Sequence, residues 1–129
     1  MLARCSSASI QGMEALPVTV EVDLAPGLPG LQLVGLPDTA IQESRERVRA
    51  ALRNSGFRGP LVRVIVNLAP ADRRKEGPAF DLPIALALLV ASGQLDPQKL
   101  KGLCCAGELG LDGSLRSCRG ILAMACQAK

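Results

Sequence analysis

The sequence predicts an α/β (α+β) domain in which a mixed sheet packs against about three helices. Val18–Leu24 alternates strictly between apolar and polar residues, which is typical of a half-buried strand. Leu61–Leu68 is apolar on both faces apart from Arg63 and Asn67, which indicates an interior strand. The segment Asp81–Ser92 is hydrophobic nearly all round, so it predicts a buried helix.

Shorter signals complete the sheet. Leu2–Ile10 predicts a weaker strand that pairs with the alternating strand through the turn Gln11-Gly12. The segment Ala25–Gly30 is rich in proline and glycine, which break both regular patterns, and it predicts a loop. Leu31–Val34 then predicts a short strand.

A helix is predicted from its N-cap, Asp38, to Asn54, with Gly56 in the left-handed conformation after it. Glu43 can pair with Arg47 one turn later. The apolar residues at helical spacing are Ile41, Val48, Ala51 and Leu52. Arginines line another face at i, i+4 and i+8, namely Arg45, Arg49 and Arg53.

The buried helix follows a charged loop, and this junction is the first candidate for a functional site. Pro83 is tolerated only in the first turn, so the helix must begin near Pro78–Phe80, and Gly93 ends it. The loop Asp72–Gly77 therefore lies above the helix N-terminus, where free N–H groups attract anions.

The last part of the chain predicts a hairpin and a helix. Asp112-Gly113 is a strong hairpin signal, flanked by the predicted strands Leu103–Leu111 and Ser114–Cys118. Gly120–Ala128 predicts the beginning of a helix. The chain stops at Lys129 without a cap, so we expect it to belong to a longer protein.

The composition excludes several classes of function. Apolar residues make up 48% of the 129 residues, which is too many for a disordered chain and enough for one domain. His is absent, which excludes Ser-His-Asp and Cys-His triads and His-containing metal sites. Aromatic residues make up 2%, which disfavours binding by stacking on aromatic platforms. No G-x-x-x-x-G-K-[ST] occurs, so this chain contains no P-loop.

The cysteine pattern and the hydropathy favour a cytoplasmic location without membrane contact. The number of cysteines is odd and no C-x-x-C occurs, so we interpret them as small buried hydrophobic residues in a reducing cytosol. The N-terminus lacks the apolar run of a signal peptide, and Leu82–Ala91 is too short to span a bilayer. The cysteines are Cys5, Cys104, Cys105, Cys118 and Cys126.

Positive charge is concentrated in the middle of the chain, although the net charge is only +3. The bases are Arg45, Arg47, Arg49, Arg53, Arg58, Arg63, Arg73, Arg74 and Lys75. Only Glu46 and Asp72 oppose them between Arg45 and Lys75. This distribution fits a surface for nucleic acid or an acidic partner, and it also fits a solvated helix face next to an exposed loop.

The charged loop holds carboxylates and one amine. Asp72, Glu76 and Asp81 could serve acid/base chemistry or a divalent cation, but we favour helix capping and balance of nearby bases. We therefore predict no metal site. A Ser-Lys dyad would need a hydroxyl at the helix start beside Lys75, and we identify no such nucleophile and base pair.

Five segments, in this order, resemble the N-terminal domain of the ComM/YifB family, the magnesium-chelatase-like AAA+ ATPases. They are Gly30–Asp38, Glu43–Ala51, Val66–Asp72, Lys75–Leu86 and Gly107–Gly113. The resemblance covers essentially the whole chain. It implies one domain, residues 1–129, that precedes an AAA+ ATPase module outside this chain, and it implies ATP and Mg²⁺ as cofactors of that module.

The chain also resembles the Lon protease domain, which implies a Lon-like β-α-β fold shared with a small ribosomal protein. In the Lon pattern, Lys-Asp-Gly-Pro precedes the serine nucleophile; here Lys75–Pro78 matches and Ala79 occupies the serine position. Leu122 occupies the position of the general-base lysine. The resemblance therefore implies a degenerate site without proteolysis.

The ComM/YifB resemblance implies a non-catalytic accessory domain of an ATP-driven DNA motor. Branch migration or helicase activity in natural transformation and recombination is the implied process, and a homo-oligomeric ring, a hexamer, is the implied assembly. The domain would supply DNA contacts, ring contacts or both. The candidates for contact with DNA phosphates or a partner are Arg45, Arg49, Arg53, Arg73, Arg74 and Lys75. The alternatives are an ATP-dependent Lon-type serine protease domain and a magnesium chelatase subunit.

Overall fold

A four-stranded mixed sheet forms the centre of the structure, a computed structural model that describes residues 2–11, 14–58 and 62–116. Its strands lie in the order β1-β2-β4-β3. Both β1–β2 and β2–β4 are antiparallel, whereas β3 and β4 are parallel. The strands are β1 (Leu2–Gln11), β2 (Glu14–Ala25), β3 (Gly30–Val34) and β4 (Arg63–Ala69). The predicted α/β class with a mixed sheet is confirmed.

The apolar patterns of the strands place them as predicted. In β2, alternate valines at positions 18, 20 and 22 are buried in the core. Strand β4 lies between β2 and β3, which confirms the predicted interior strand. It begins at Arg63, and the predicted start at Leu61 lies outside the described residues.

The helix predicted from Asp38 to Asn54 is wrong in one respect, because it is broken at Glu43 into α1 (Thr39–Gln42) and α2 (Ser44–Asn54). The predicted N-cap is confirmed, since Asp38 accepts a hydrogen bond from the backbone N–H of Ile41 at 2.9 Å. At the break, Arg47 donates to the Ala40 carbonyl at 2.6 Å and Arg45 donates to the Gln42 carbonyl at 3.2 Å. A continuous helix would use these carbonyls for its own N–H groups.

The apolar helix α3 (Asp81–Ala91) begins as predicted, after a 3-10 turn at Pro78–Phe80. Pro83 lies in its first turn, where a missing N–H costs little. All of its residues except Leu82 and Leu86 are buried, and the helix packs against β1 and β2. Within the described residues, no helix has both the length and the apolar composition needed to cross a membrane.

The predicted hairpin around Asp112-Gly113 is confirmed, but its strands, β5 (Glu108–Leu109) and β6 (Leu115–Arg116), are shorter than expected. The preceding segment lies beside β1 instead, where the Cys105 N–H donates to the Ser6 carbonyl at 2.8 Å. The helix predicted from Gly120 to Ala128 lies outside the described residues.

The cysteines differ from one another in their surroundings. Cys5 is buried as predicted, and its burial and the neighbouring thiols of Cys105 and Cys104 raise its pKa to about 12. The prediction of burial is wrong for Cys104, which is exposed, because its segment runs along the outside of β1. Cys118 and Cys126 lie outside the described residues.

The buried carboxylate of Asp81 joins three parts of the chain. It accepts hydrogen bonds from the Ser44 hydroxyl at 2.5 Å and from Arg47 Nε at 2.6 Å. Arg47 donates a second bond at 3.1 Å, and the Leu109 N–H donates another at 3.1 Å. Because α2, α3 and β5 all contribute to these contacts, Asp81 fixes the position of α2 over the core. Glu43 also pairs with Arg47, at 3.5 Å, as predicted.

We expect Asp81→Ala to lower the free energy of unfolding by about 3 kcal/mol, because it leaves the Arg47 charge and the Ser44 hydroxyl without their partner. Urea unfolding followed by circular dichroism measures this change. Glu43→Gln is the control: it removes the exposed partner of the same arginine and should cost about 0.5 kcal/mol or less. Equal losses in the two variants would contradict the role given to Asp81.

Candidate functional site

The side chain of Lys75 lies inside the junction between β4 and α3. The residue is 1% exposed, and its Nζ donates to the Gly35 carbonyl at 2.8 Å and to the Pro70 carbonyl. The Lys75 N–H also donates to the Leu36 carbonyl at 3.0 Å, and its carbonyl accepts from the Asp38 N–H at 3.1 Å. Lys75 thus ties the loop after β4 to the turn after β3.

Gly35 allows this close approach. Its φ is +103°, and a Cβ at this position would lie 2.3 Å from the Leu68 carbonyl oxygen of β4. Only glycine fits a backbone that passes so near a neighbouring strand in this conformation. The turn therefore presents the Gly35 carbonyl to the Lys75 amine.

Asp38 makes a second connection across the same junction. One carboxylate oxygen caps α1, and the other accepts from the Gly77 N–H at 2.9 Å. Gly77 precedes the 3-10 turn at Pro78–Phe80, so Asp38 fixes where the apolar helix begins. The contact joins residues that are far apart in the sequence, and the sequence predicted only the capping of α1.

Burial changes the role expected of Lys75. Loss of water around the amine lowers the pKa of Lys75; the nearby Asp72 carboxylate opposes this shift and the Arg73 charge adds to it. With its amine bonded to two carbonyls inside the fold, Lys75 is not accessible to a phosphate group. The prediction that Lys75 contacts nucleic acid is therefore corrected: its visible role is structural.

The position that resembles the Lon nucleophile has no chemistry of its own. Ala79 is 9% exposed and packs with three other alanines, Ala8, Ala15 and Ala106. Among the described residues, the buried hydroxyls of Ser7 and Ser9 have no hydrogen-bond partner, so neither is bonded to the Lys75 amine. Leu122, at the position of the general base, lies outside the described residues.

The three carboxylates of the loop are not grouped. Asp72 and Glu76 are exposed, whereas Asp81 is fully buried in its bonds to Arg47 and Ser44. The prediction that Asp81 balances a nearby base is confirmed. Across the described ranges, no three side chains of His, Cys, Asp or Glu are arranged to hold a metal ion.

The arginines of α2 form a cationic surface. Arg45, Arg49 and Arg53 are all exposed, and none has a carboxylate partner in the part of the chain that the structure describes. In the loop after β4, Arg73 is half-buried and Arg74 lies 3.9 Å from Glu76. The three α2 arginines therefore have their charges available to an external anion.

The loop arginines and the C-terminal half of α2 lie at opposite ends of β4. Arg49 and Arg53 line a pocket together with Gly30 and Val64, at the start of β3 and β4. Arg73 and Arg74 instead follow Ala69, the last residue of β4. Seven strand residues span about 20 Å, so the two groups form separate cationic regions.

Comparison with known proteins identifies the family. A family model described as subunit ChlI of Mg-chelatase matches residues 20–129, most of the chain. The chain therefore belongs to this magnesium-chelatase-like family, and its resemblance to the ComM/YifB proteins is confirmed.

Particular relatives support this assignment. The chain is 51% identical to the uncharacterized protein YifB of Escherichia coli over 117 residues, which is 91% of this chain and 23% of YifB. It is 49% identical to the competence protein ComM of Haemophilus influenzae over 121 residues, or 94% of this chain and 24% of ComM. An uncharacterized protein of Mycobacterium tuberculosis is 42% identical over 128 residues, 99% of this chain and 25% of that protein. The chain spans about a quarter of the length of these relatives.

The buried amine predicts a pH dependence of stability. The pKa of Lys75 is lowered in the folded chain from its ordinary value of 10.5, so between these two values the unfolded chain binds more protons. We expect the free energy of unfolding of the wild type to rise, relative to that of Lys75→Met, as the pH increases through this interval. Urea titrations at a series of alkaline pH values measure the difference, with the exposed-site variant Lys101→Met as control. If the free energy of unfolding of the wild type instead fell relative to that of Lys75→Met as the pH increases, the burial of the amine would be contradicted.

Ala79→Ser should not create peptidase activity. The new hydroxyl would lie beside alanines, and the only amine of the loop already donates to the Gly35 and Pro70 carbonyls. A fluorogenic peptide assay of the folded variant tests this, with the wild type as the matched blank. Hydrolysis by Ala79→Ser that the wild type lacks would mean that a general base lies within reach of position 79.

Proposed function

We propose that this chain is a non-catalytic accessory domain of a ComM/YifB-type AAA+ ATPase, and that it contacts DNA on behalf of a branch-migration or helicase motor. The observation that carries the proposal is the row of exposed arginines on α2, Arg45, Arg49 and Arg53, which have no carboxylate partner in the described ranges. Arginine and lysine dominate contacts with phosphate oxygens. The relative named as a competence protein supports a process that handles DNA.

The proposal assigns the parts of the chain different roles. Arg45, Arg49 and Arg53 contact phosphates, and Arg73 and Arg74 offer a second, separate contact. The junction around Lys75 and Ala79 supports the fold and performs no chemistry. In this proposal, residues 1–129 act as one Lon-like domain.

The remainder of the motor lies outside this chain. In this proposal, ATP and Mg²⁺ are bound by an AAA+ module outside this chain, whose own sequence has no G-x-x-x-x-G-K-[ST]. A ring of identical subunits, a hexamer, in the cytoplasm completes the proposal. In such a ring, each domain would present its α2 arginines to the same DNA molecule.

A second candidate function is that of a magnesium chelatase subunit, which is favoured by the description of the matching family. Such a subunit acts together with protein partners and needs no contact with DNA. By contrast, nothing in the described residues favours the Lon-type protease, since Ala79 offers no nucleophile.

DNA binding by the 129-residue chain tests the proposal. We expect labelled single-stranded, forked and duplex DNA to raise fluorescence anisotropy, with an affinity that falls steeply as salt increases. Arg49→Ala/Arg53→Ala should weaken binding to all sequences and flatten the salt slope by about 0.7 for each lost phosphate contact on a single strand.

The matched control is Lys99→Ala/Lys101→Ala, which removes two positive charges from exposed residues outside α2. This variant should bind DNA nearly as the wild type does. If both double variants weakened DNA binding equally, the loss would come from the change in net charge and not from the α2 arginines in particular. Absence of binding at low salt would overturn the proposed DNA contact and favour a surface for protein partners.

A further inference from the structure

Two of the α2 arginines, Arg49 and Arg53, line a pocket of about 320 Å³ whose apolar part has no role in the proposed phosphate contacts. It lies between the C-terminal half of α2 and the first residues of β3 and β4. Leu31, Leu52, Val64 and Leu88 give it an apolar lining. An apolar depression of this size with a few polar groups is typical of a site for a small ligand.

The charged residues that the structure describes around this pocket are Arg49 and Arg53. They are separated by one helical turn, so they lie on the same face of α2. Among the described residues, no carboxylate lines the pocket. The fitting ligand therefore combines a part that can lie against an apolar surface with a negative charge.

Phe57 supplies an aromatic ring to the same pocket. The chain contains only two aromatic residues, and the other, Phe80, is buried in the core. Phe57 is 40% exposed, and its segment is fixed by the bond from its N–H to the Leu52 carbonyl at 2.9 Å. The low aromatic content of the sequence disfavoured binding by stacking. In the structure, however, the one exposed aromatic ring, Phe57, lines the same pocket as Arg49 and Arg53.

We propose that the pocket takes one unpaired base of a DNA single strand, stacked on Phe57, while Arg49 and Arg53 hold the phosphates on either side of that base. This inference rests on the proposed function, because it specifies how the same arginines contact DNA. A nucleotide joins a flat base, whose π faces can stack on an aromatic ring, to an anionic phosphate, which matches a pocket lined by Phe57 and two arginines. Bases in a duplex are already stacked and paired, so the pocket selects single-stranded DNA over duplex DNA.

Two strands with equal numbers of phosphates test the inference. One is labelled oligothymidylate, and the other has the same length and carries abasic sugars in place of every nucleoside. Stacking of one base contributes about 1–3 kcal/mol, so the 129-residue chain should bind the intact strand about five- to 150-fold more tightly. Phe57→Leu should remove most of this preference and keep the salt dependence, whereas Arg49→Ala/Arg53→Ala should weaken binding to both strands.

A single fluorophore gives an independent measurement. The chain contains no Trp and no Tyr, so Phe57→Trp introduces the only strongly emitting side chain, at the pocket itself. We expect the intact strand to quench this emission at saturation and the abasic strand to leave it nearly unchanged.

The outcomes separate the two proposals. If the intact and abasic strands bind equally tightly, or if the Phe57→Trp emission does not change in the DNA complex, the pocket takes no base and the phosphate contact alone stands. An acidic protein segment as the true occupant would give this pattern. If neither strand binds at low salt, the proposed DNA contact fails, and the base pocket fails with it.

Discussion

The arrangement of the helices depends on one buried carboxylate. Asp81, at the start of α3, is fully buried and accepts hydrogen bonds from Ser44 and Arg47 of α2 and from Leu109 of β5, so three elements that are distant in the sequence meet at its carboxylate. A buried charge is tolerated only when it is paired and hydrogen-bonded, so all three elements must meet at this point. The position of α2, and with it the direction of its outer arginines, follows from this interior contact.

A second set of charged side chains stabilises the junction between β4 and α3. In the Lon pattern that the chain resembles, this junction carries a nucleophile. Here Lys75 donates to the carbonyls of Gly35 and Pro70, and Asp38 accepts from Gly77, so polar side chains close the loop onto its neighbours. Ala79 then packs among other alanines. Lys75, which the sequence suggested as part of a binding site, thus stabilises the backbone of this junction.

Hydrophobic periodicity was sufficient to predict most of the fold. The alternation in β2, the apolar β4 and α3, and the hairpin signal at Asp112-Gly113 each correspond to an observed element. The break at Glu43 could not be predicted, because it depends on side chains of α2 that take the carbonyls of Ala40 and Gln42. At the candidate site, the local sequence pattern does not distinguish an exposed lysine from one whose amine donates hydrogen bonds to two backbone carbonyls in other segments. Only the tertiary structure separates Lys75 from the α2 arginines.

The separation of the cationic groups bears on the kind of ligand that this surface suits. A small anion can occupy one end of β4, but it cannot reach Arg53 and Arg73 together across a strand of about 20 Å. A polyanion can reach both, because its charges repeat along its length. At the loop end, Arg74 already lies near Glu76. At the α2 end, Arg49 and Arg53 stand beside an apolar pocket and the one exposed aromatic ring. The groups that can distinguish a nucleic acid strand, with its bases, from any other polyanion therefore lie at the end of β4 that is next to α2.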